Sequence, residues 1–207
     1  MIEWLNEIDI ELFRILNGLH ASWLDVPNQW LSSKSFWIPG YLLAAAIIWN
    51  KWGWQELLWV GVLTGVVVLV ADQVASGILK PLIARYRPCR PEAGLEFVVH
   101  LVDGKCGGKY GFASSHAANF FAMAMMFSAV FRKNHLPLIL FSLATATAYS
   151  RIYLGVHYPG DILAGALIGI IVGWIGRHIY LHTAWKRKLF QGVQPGLKNE
   201  PNDANRH

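Results

Sequence analysis

Ser150-Arg151-Ile152-Tyr153-Leu154-Gly155-Val156-His157-Tyr158-Pro159-Gly160-Asp161 sets a cation, an imidazole and a carboxylate in order between two apolar runs, residues 136–150 and 162–181. The second run has the roughly 20 apolar residues that a membrane-crossing helix needs. Ionisable groups so close to lipid are costly unless they pair or serve a function, so the stretch reads as an anion-handling site at a membrane surface. Two earlier runs supply matching parts: Lys80-Pro81-Leu82-Ile83-Ala84-Arg85-Tyr86-Arg87-Pro88 and Ala113-Ser114-Ser115-His116.

The rest of the chain fits this reading. Of its 207 residues 54% are hydrophobic and 15% charged, and the apolar ones cluster, which excludes a soluble multidomain enzyme. Residues 57–79 and 162–181 predict full spans, and 36–49, 117–131 and 136–150 predict shorter ones that extend into polar or snorkelling ends. Residues 2–19 mix apolar and acidic side chains at helical spacing and predict an amphipathic helix at the interface, where a sixth crossing could also begin. The fold class expected is therefore all-α, a polytopic membrane bundle of five to six transmembrane helices with an N-terminal amphipathic helix. Residues 1–190 form one integral membrane domain and 191–207 a polar, mobile tail.

The net charge of +5 is spread over loop ends and forms no basic stripe, which points to lipid headgroups and not to nucleic acid. If five spans alternate, Lys51, Arg132, Lys133, Lys186, Arg187 and Lys188 share one side, cytoplasmic by the positive-inside rule. The three polar motifs then share the opposite face, as do Cys89 and Cys106, for which a disulfide in an oxidising compartment and two free thiols are both open readings. Gly165, Gly169 and Gly173 recur every four residues, a flat helix face for close packing. Early acidic residues and the lack of a basic start argue against a cleaved signal peptide.

Lys80 and Arg87, seven residues apart, predict two helical turns and one shared direction, with Arg85 pointing elsewhere as a headgroup anchor. Ser114 or Ser115 is placed to cap the following helix, whose first N–H groups suit a phosphate. His157 and Asp161, four apart, allow the carboxylate to hold one imidazole nitrogen and free the other to attack. A metal held by His116, His157 and Asp161 is the competing reading; Lys80, Arg87 and Arg151 would repel a divalent cation and suit a phosphoryl group. Asp72, inside a span, reads as a partner for a neighbouring helix or a site cation. His20, His100, His135, His178 and His182 read as loop or interfacial residues.

Together, Lys80-x6-Arg87-Pro88, Ser114-x-His116 and Ser150-Arg151-x5-His157-x3-Asp161 resemble the three-part signature of the type 2 phosphatidic acid phosphatase superfamily, over about residues 54 to 183. The resemblance implies a helical bundle and hydrolysis of a lipid phosphomonoester or diphosphate through a phosphohistidine, with no metal and no cofactor. It implies His157 as nucleophile, Asp161 as its orienting partner, His116 as the acid for the leaving oxygen, and Lys80, Arg87, Ser114 and Arg151 as phosphate ligands. Ala113 and Ser115 replace the usual Pro and Gly, and the Ser115 backbone N–H remains able to donate. The expected substrate is a membrane phospholipid or isoprenoid phosphate, of the undecaprenyl diphosphate or phosphatidylglycerophosphate type, at the periplasmic face of a bacterial inner membrane. The alternatives are a lipid phosphotransferase using the same intermediate and a noncatalytic anion-binding or transport protein.

Overall fold

In a computed structural model, residues 3–192 are described. The expected tail lies outside the described residues from 193 on; 191 and 192 belong to the last helix. Seven helices make up the described chain: α1 (Glu3–Gly18), α2 (Ser22–Ser32), α3 (Ile38–Trp52), α4 (Trp54–Ile83), α5 (Ser115–Phe131), α6 (Leu136–Tyr153) and α7 (Pro159–Gly192). The chain is an all-α, polytopic membrane bundle. By length and composition α4 and residues Pro159–Thr183 of α7 can each cross a bilayer, α2 and α3 together make a third candidate bent by 72°, and α5 is a shorter apolar helix.

The bundle has an apolar surface as well as an apolar core. Leu58, Val62, Val66 and Leu69 on α4, and Leu163, Leu167, Ile171 and Trp174 on α7, are exposed at helical spacing. Lipid is as apolar as leucine, so such stripes cost nothing there, and helix association rests on close packing. The central contact is α5 against α7. Ala117, Ala118 and Ala122 of α5 are fully buried against the glycine face of α7. A Cβ at Gly165, Gly169 or Gly173 would strike the carbonyl oxygens of Ser114, Ala118 and Ala122 respectively, the last at 2.8 Å. This seam brings the starts of both helices together, and Ser114 donates its backbone N–H to the Asp161 carbonyl at 2.9 Å.

α1 forms where expected, and its apolar Trp4, Ile8, Leu12 and Ile15 face outward. Its inward face carries Asp9, Phe13 and Asn17, spaced four apart. Asn17 Nδ2 donates to the carbonyls of Ile152 (3.0 Å) and Tyr153 (2.9 Å), which satisfies the end of α6, while its Oδ1 accepts from the His100 N–H at 2.8 Å. His100 therefore has partners that sequence spacing hides: Nε2 lies 2.9 Å from Asp25 Oδ1, and its ring stacks on His20 at 4.0 Å. Asp72 accepts from Asn119 Nδ2 of α5 at 3.2 Å, the interhelical role read from its position.

Two features differ from expectation. α2 has no counterpart among the predicted elements, because 22–32 mixes Asp, Pro, Asn and Gln with its apolar residues and is too short for a span. α4 ends at Ile83, with Ala84 in the left-handed region at φ 51°, so Arg87 is not on a helix with Lys80. Arg87 instead sits on an isolated antiparallel bridge between Tyr86 and Tyr110, donating its N–H to the Lys109 carbonyl at 3.3 Å. Before Lys80 the helix widens into a π stretch, Gln73–Leu79, of the kind that re-aims side chains at functional sites.

The seam predicts a sign difference between two glycines. Gly169→Ala should lower the thermal midpoint in detergent, because overpacking costs about 1–3 kcal/mol. Gly61→Ala, with nothing within 4 Å of its Cβ, should leave the midpoint unchanged or raise it, by up to about 1 kcal/mol of helix propensity.

Candidate active site

The site is assembled by the loop 84–114 where α4 and α6 end and α5 and α7 begin. Its centre is His157, in the turn between α6 and α7 and almost fully buried. Its Nδ1 lies 3.2 Å from Asp161 Oδ2, one turn on, and the same oxygen accepts the Tyr158 N–H at 3.1 Å. On its other edge Nε2 lies 3.1 Å from Arg87 Nη1, which also donates to the Val156 carbonyl at 3.1 Å. An N–H on Nδ1 donating to Asp161 leaves the Nε2 lone pair facing the guanidinium, the tautomer a nucleophilic imidazole requires.

Burial holds the His157 pKa well below its ordinary value, and the charges of Arg87, Arg151 and Lys80 add to this. Asp161, the carboxylate touching the ring, is shared with Arg85 at 3.3 Å. The ring is therefore neutral in the resting protein.

Around it the other expected residues converge. Ser114 is the N-cap of α5, its Oγ accepting from Ala117 N–H at 3.5 Å, so of the two candidate serines it is Ser114 that caps. Ser115 opens the helix, and Lys80 Nζ donates to its Oγ at 3.4 Å and to Ser76 Oγ at 3.0 Å. Arg151, on the last turn of α6, contacts Ser32 Oγ. The Nε groups of Arg87 and Arg151 are buried with no protein acceptor among the described residues. Convergent charged donors without acceptors, beside a helix N-terminus, suit a tetrahedral oxyanion. Cys89 and Cys106 are joined with Cα atoms 5.7 Å apart, closing the loop that carries Arg87.

His116 is on the first turn of α5, its ring bonded to the Ser32 backbone and close enough to Arg151 to feel its charge. It lines a cavity of about 320 Å³ with Lys34, Tyr41, Val68, Asn119, Phe120 and Met123, a cleft of mixed polarity reaching α3, α4 and α5. A second cavity of about 380 Å³ opens from Arg151 toward the loops, lined by Gln29, Trp30, Lys105 and Gly107. Ser32 borders both. A metal-ligating group of three or more His, Cys, Asp or Glu does not occur among the described residues, so the competing donor set of His116, His157 and Asp161 is not assembled.

The structure corrects the reading of Arg85 as a headgroup anchor. Its Nη1 lies 2.5 Å from Asp9 Oδ2 and 3.3 Å from Asp161 Oδ1, and its guanidinium stacks 3.8 Å over the Tyr158 ring. Sequence spacing missed it because the alternation that turns Arg85 away from Arg87 was referred to lipid, whereas the opposite side is closed by α1. Asp9 and Ser32 were missed as well. For Asp9 there was a signal, since an acid sits on the same helical face as Phe13 and Asn17.

A buried imidazole held between a carboxylate and an arginine, with Lys80 and Arg151 close by at the start of α5, has the chemistry of a candidate phosphoryl-handling site. Residues 57–185 match the PAP2 superfamily, and the chain belongs to that family. It is a membrane lipid phosphatase. It is 38% identical over 175 residues to the lipid A 4'-phosphatase of Bacteroides thetaiotaomicron, covering 84% of this chain and 78% of that protein. To the undecaprenyl-diphosphatase BcrC of Bacillus subtilis it is 29% identical over 177 residues, 81% of this chain and 82% of that one. The crystal structure of LpxE from Aquifex aeolicus superposes with a TM-score of 0.64 at 29% identity, over 81% of this chain and 93% of the other.

Depression of the His157 pKa has a stability consequence with a definite sign. The unfolded imidazole takes up a proton near pH 6.5 while the folded one does not, so its contribution is complete above about pH 6.5 and is lost as pH falls below that value. The thermal midpoint of the wild type should fall more steeply between pH 7 and pH 5 than that of His157→Gln, measured without phosphate.

Proposed function

We propose that the protein hydrolyses a phosphomonoester on the sugar headgroup of a glycolipid of the lipid A class, through a phosphohistidine at His157. The observation that carries the mechanism is the clamp on His157, with Asp161 on one nitrogen and Arg87 beside the other. His157 Nε2 attacks phosphorus and the bond from phosphorus to the lipid oxygen breaks, while His116 gives that oxygen its proton. Water then attacks phosphorus, passes a proton to His116, and the bond to Nε2 breaks to release inorganic phosphate. Lys80, Arg87, Arg151, Ser114 and Ser115 hold the nonbridging oxygens, aimed donors doing the work of charge stabilisation.

Support for the substrate class comes from the two cavities that meet at Ser32 and from the lipid A 4'-phosphatase relative. Both cavities mix apolar walls with polar groups, Gln29, Lys105 and Arg151 in one and Lys34, His116 and Asn119 in the other, which suits an amphipathic lipid whose headgroup carries polar substituents. The active face is periplasmic, at a bacterial inner membrane. The Cys89–Cys106 pairing in the same loop favours that compartment.

Phosphate release should be fastest from a glucosamine-linked lipid monophosphate in a panel that includes undecaprenyl diphosphate and phosphatidylglycerophosphate, and a diphosphate preference would refute the substrate class. His157→Ala should abolish an acid-labile phosphoenzyme with every substrate. His116→Ala should cripple its formation from a lipid monoester, by on the order of 10²- to 10⁴-fold, and spare its formation from p-nitrophenyl phosphate, whose leaving group needs little protonation. Peptide mass spectrometry of non-reduced protein from native membranes should recover Cys89 linked to Cys106; two alkylatable thiols would place the loop in a reducing compartment.

A further inference from the structure

The matched family region begins at residue 57, yet the site has a support that precedes it. Asp9, on the inward face of α1, is buried and holds two groups at once. Its Oδ1 accepts the N–H of Gly160, in the first turn of α7, at 2.7 Å, and its Oδ2 meets Arg85 Nη1 at 2.5 Å. Gly160 has to be glycine for this, since a Cβ there would lie 2.7 Å from Asp9 Oδ2. Arg85 Nη2 donates to Asn6 Oδ1, one turn earlier on α1, at 3.0 Å.

We propose that Asp9 and Arg85 are a positioning pair for the His157–Asp161 dyad, which makes α1 a working part of the catalytic site. The inference rests on the role given to His157 above. Arg85 stands between two carboxylates, in contact with Asp9 at 2.5 Å and with Asp161 at 3.3 Å. Because Arg85 Nη1 lies nearer Asp9 than Asp161 and Nη2 is held by Asn6, Asp161 is met at one oxygen and keeps the other for His157 Nδ1 and Tyr158 N–H. Without the Asp9 charge, Arg85 is free to close on Asp161, which is fully buried and has no solvent to compete. The carboxylate then leaves Nδ1, and the imidazole loses both its tautomer and its aim. Tyr158, which stacks under Arg85 and packs edge-on against Phe13 of α1 at 5.3 Å, fixes the plane of the guanidinium. Neither Asp9 nor Arg85 touches the attacking nitrogen, so both act through Asp161.

Asp9→Asn tests this, because its amide oxygen can still accept from Gly160 while the charge facing Arg85 is gone. The expected result is a kcat lower by about 10- to 100-fold, the scale set by a misplacement of roughly 1 Å, with KM within about twofold of wild type. Asn6→Asp added to Asp9→Asn returns a carboxylate to Arg85 from the neighbouring turn and should recover most of the lost kcat. Arg85→Gln removes the guanidinium that would draw Asp161 off Nδ1, so the effects of Arg85→Gln and Asp9→Asn should be non-additive, the double variant losing less kcat than the product of the two single losses. Unchanged kcat in Asp9→Asn overturns the proposal. A loss that follows the thermal midpoint and is not rescued by Asn6→Asp also overturns it, in favour of a purely structural cap, as does a defect confined to KM. Trapping of the phosphoenzyme in wild-type protein is read separately: its absence refutes His157 as nucleophile, while the kcat and KM of the variants still decide the role of Asp9.

Discussion

The Asp161 carboxylate is the interaction on which the rest of the structure depends. It is fully buried at the start of a membrane helix, where an uncompensated charge costs several kcal/mol. Its two oxygens are satisfied by a histidine ring, a backbone N–H and an arginine. Each partner enlists a further element. His157 is clasped by Arg87, which fixes the loop 84–114; Arg85 is clasped by Asp9, which fixes α1; and the Asp161 carbonyl receives the Ser114 N–H, which fixes the start of α5. Compensation of one buried charge thus recruits segments from across the chain.

Packing explains why that compensation is available. The glycine face of α7 lets it approach α5 at backbone distance, so that the capped N-terminus of α5 and the first turn of α7 share one small volume. Larger residues would separate the helices and pull Ser114 and Ser115 away from His157. The same seam continues to Gly176 against Val67 of α4 and Met126 of α5, where the core is made of small and flexible side chains.

Much of this was legible in the sequence because the informative residues are chemically out of place. Lys80, Arg87, His116, Arg151, His157 and Asp161 stand beside apolar runs that have no other use for them, and the structure gathers the three stretches that carry them at one end of the bundle. The helix spacing from Lys80 to Arg87 gave the correct neighbourhood for the wrong reason, since Ala84 breaks the helix and a loop returns Arg87 to the site. What stayed hidden depends on contacts far apart in the chain. Arg85 and Asp9 are 76 residues apart, and Asn17 meets Tyr153 across 136. α2 lacked a span-length apolar run, so nothing local marked Ser32 as a neighbour of Arg151 and His116.

α1 turns Trp4, Ile8, Leu12 and Ile15 outward on one face while Asp9, on the other, reaches in to Arg85 and Gly160 beside the candidate site. A helix of this type rides at the boundary between headgroups and acyl chains. On the roles proposed for Asp9 and His157, the element that meets the bilayer surface is also the one that orients the dyad. Substrate then arrives by diffusion in two dimensions, and its effective concentration is a surface mole fraction, to which bulk dilution is irrelevant.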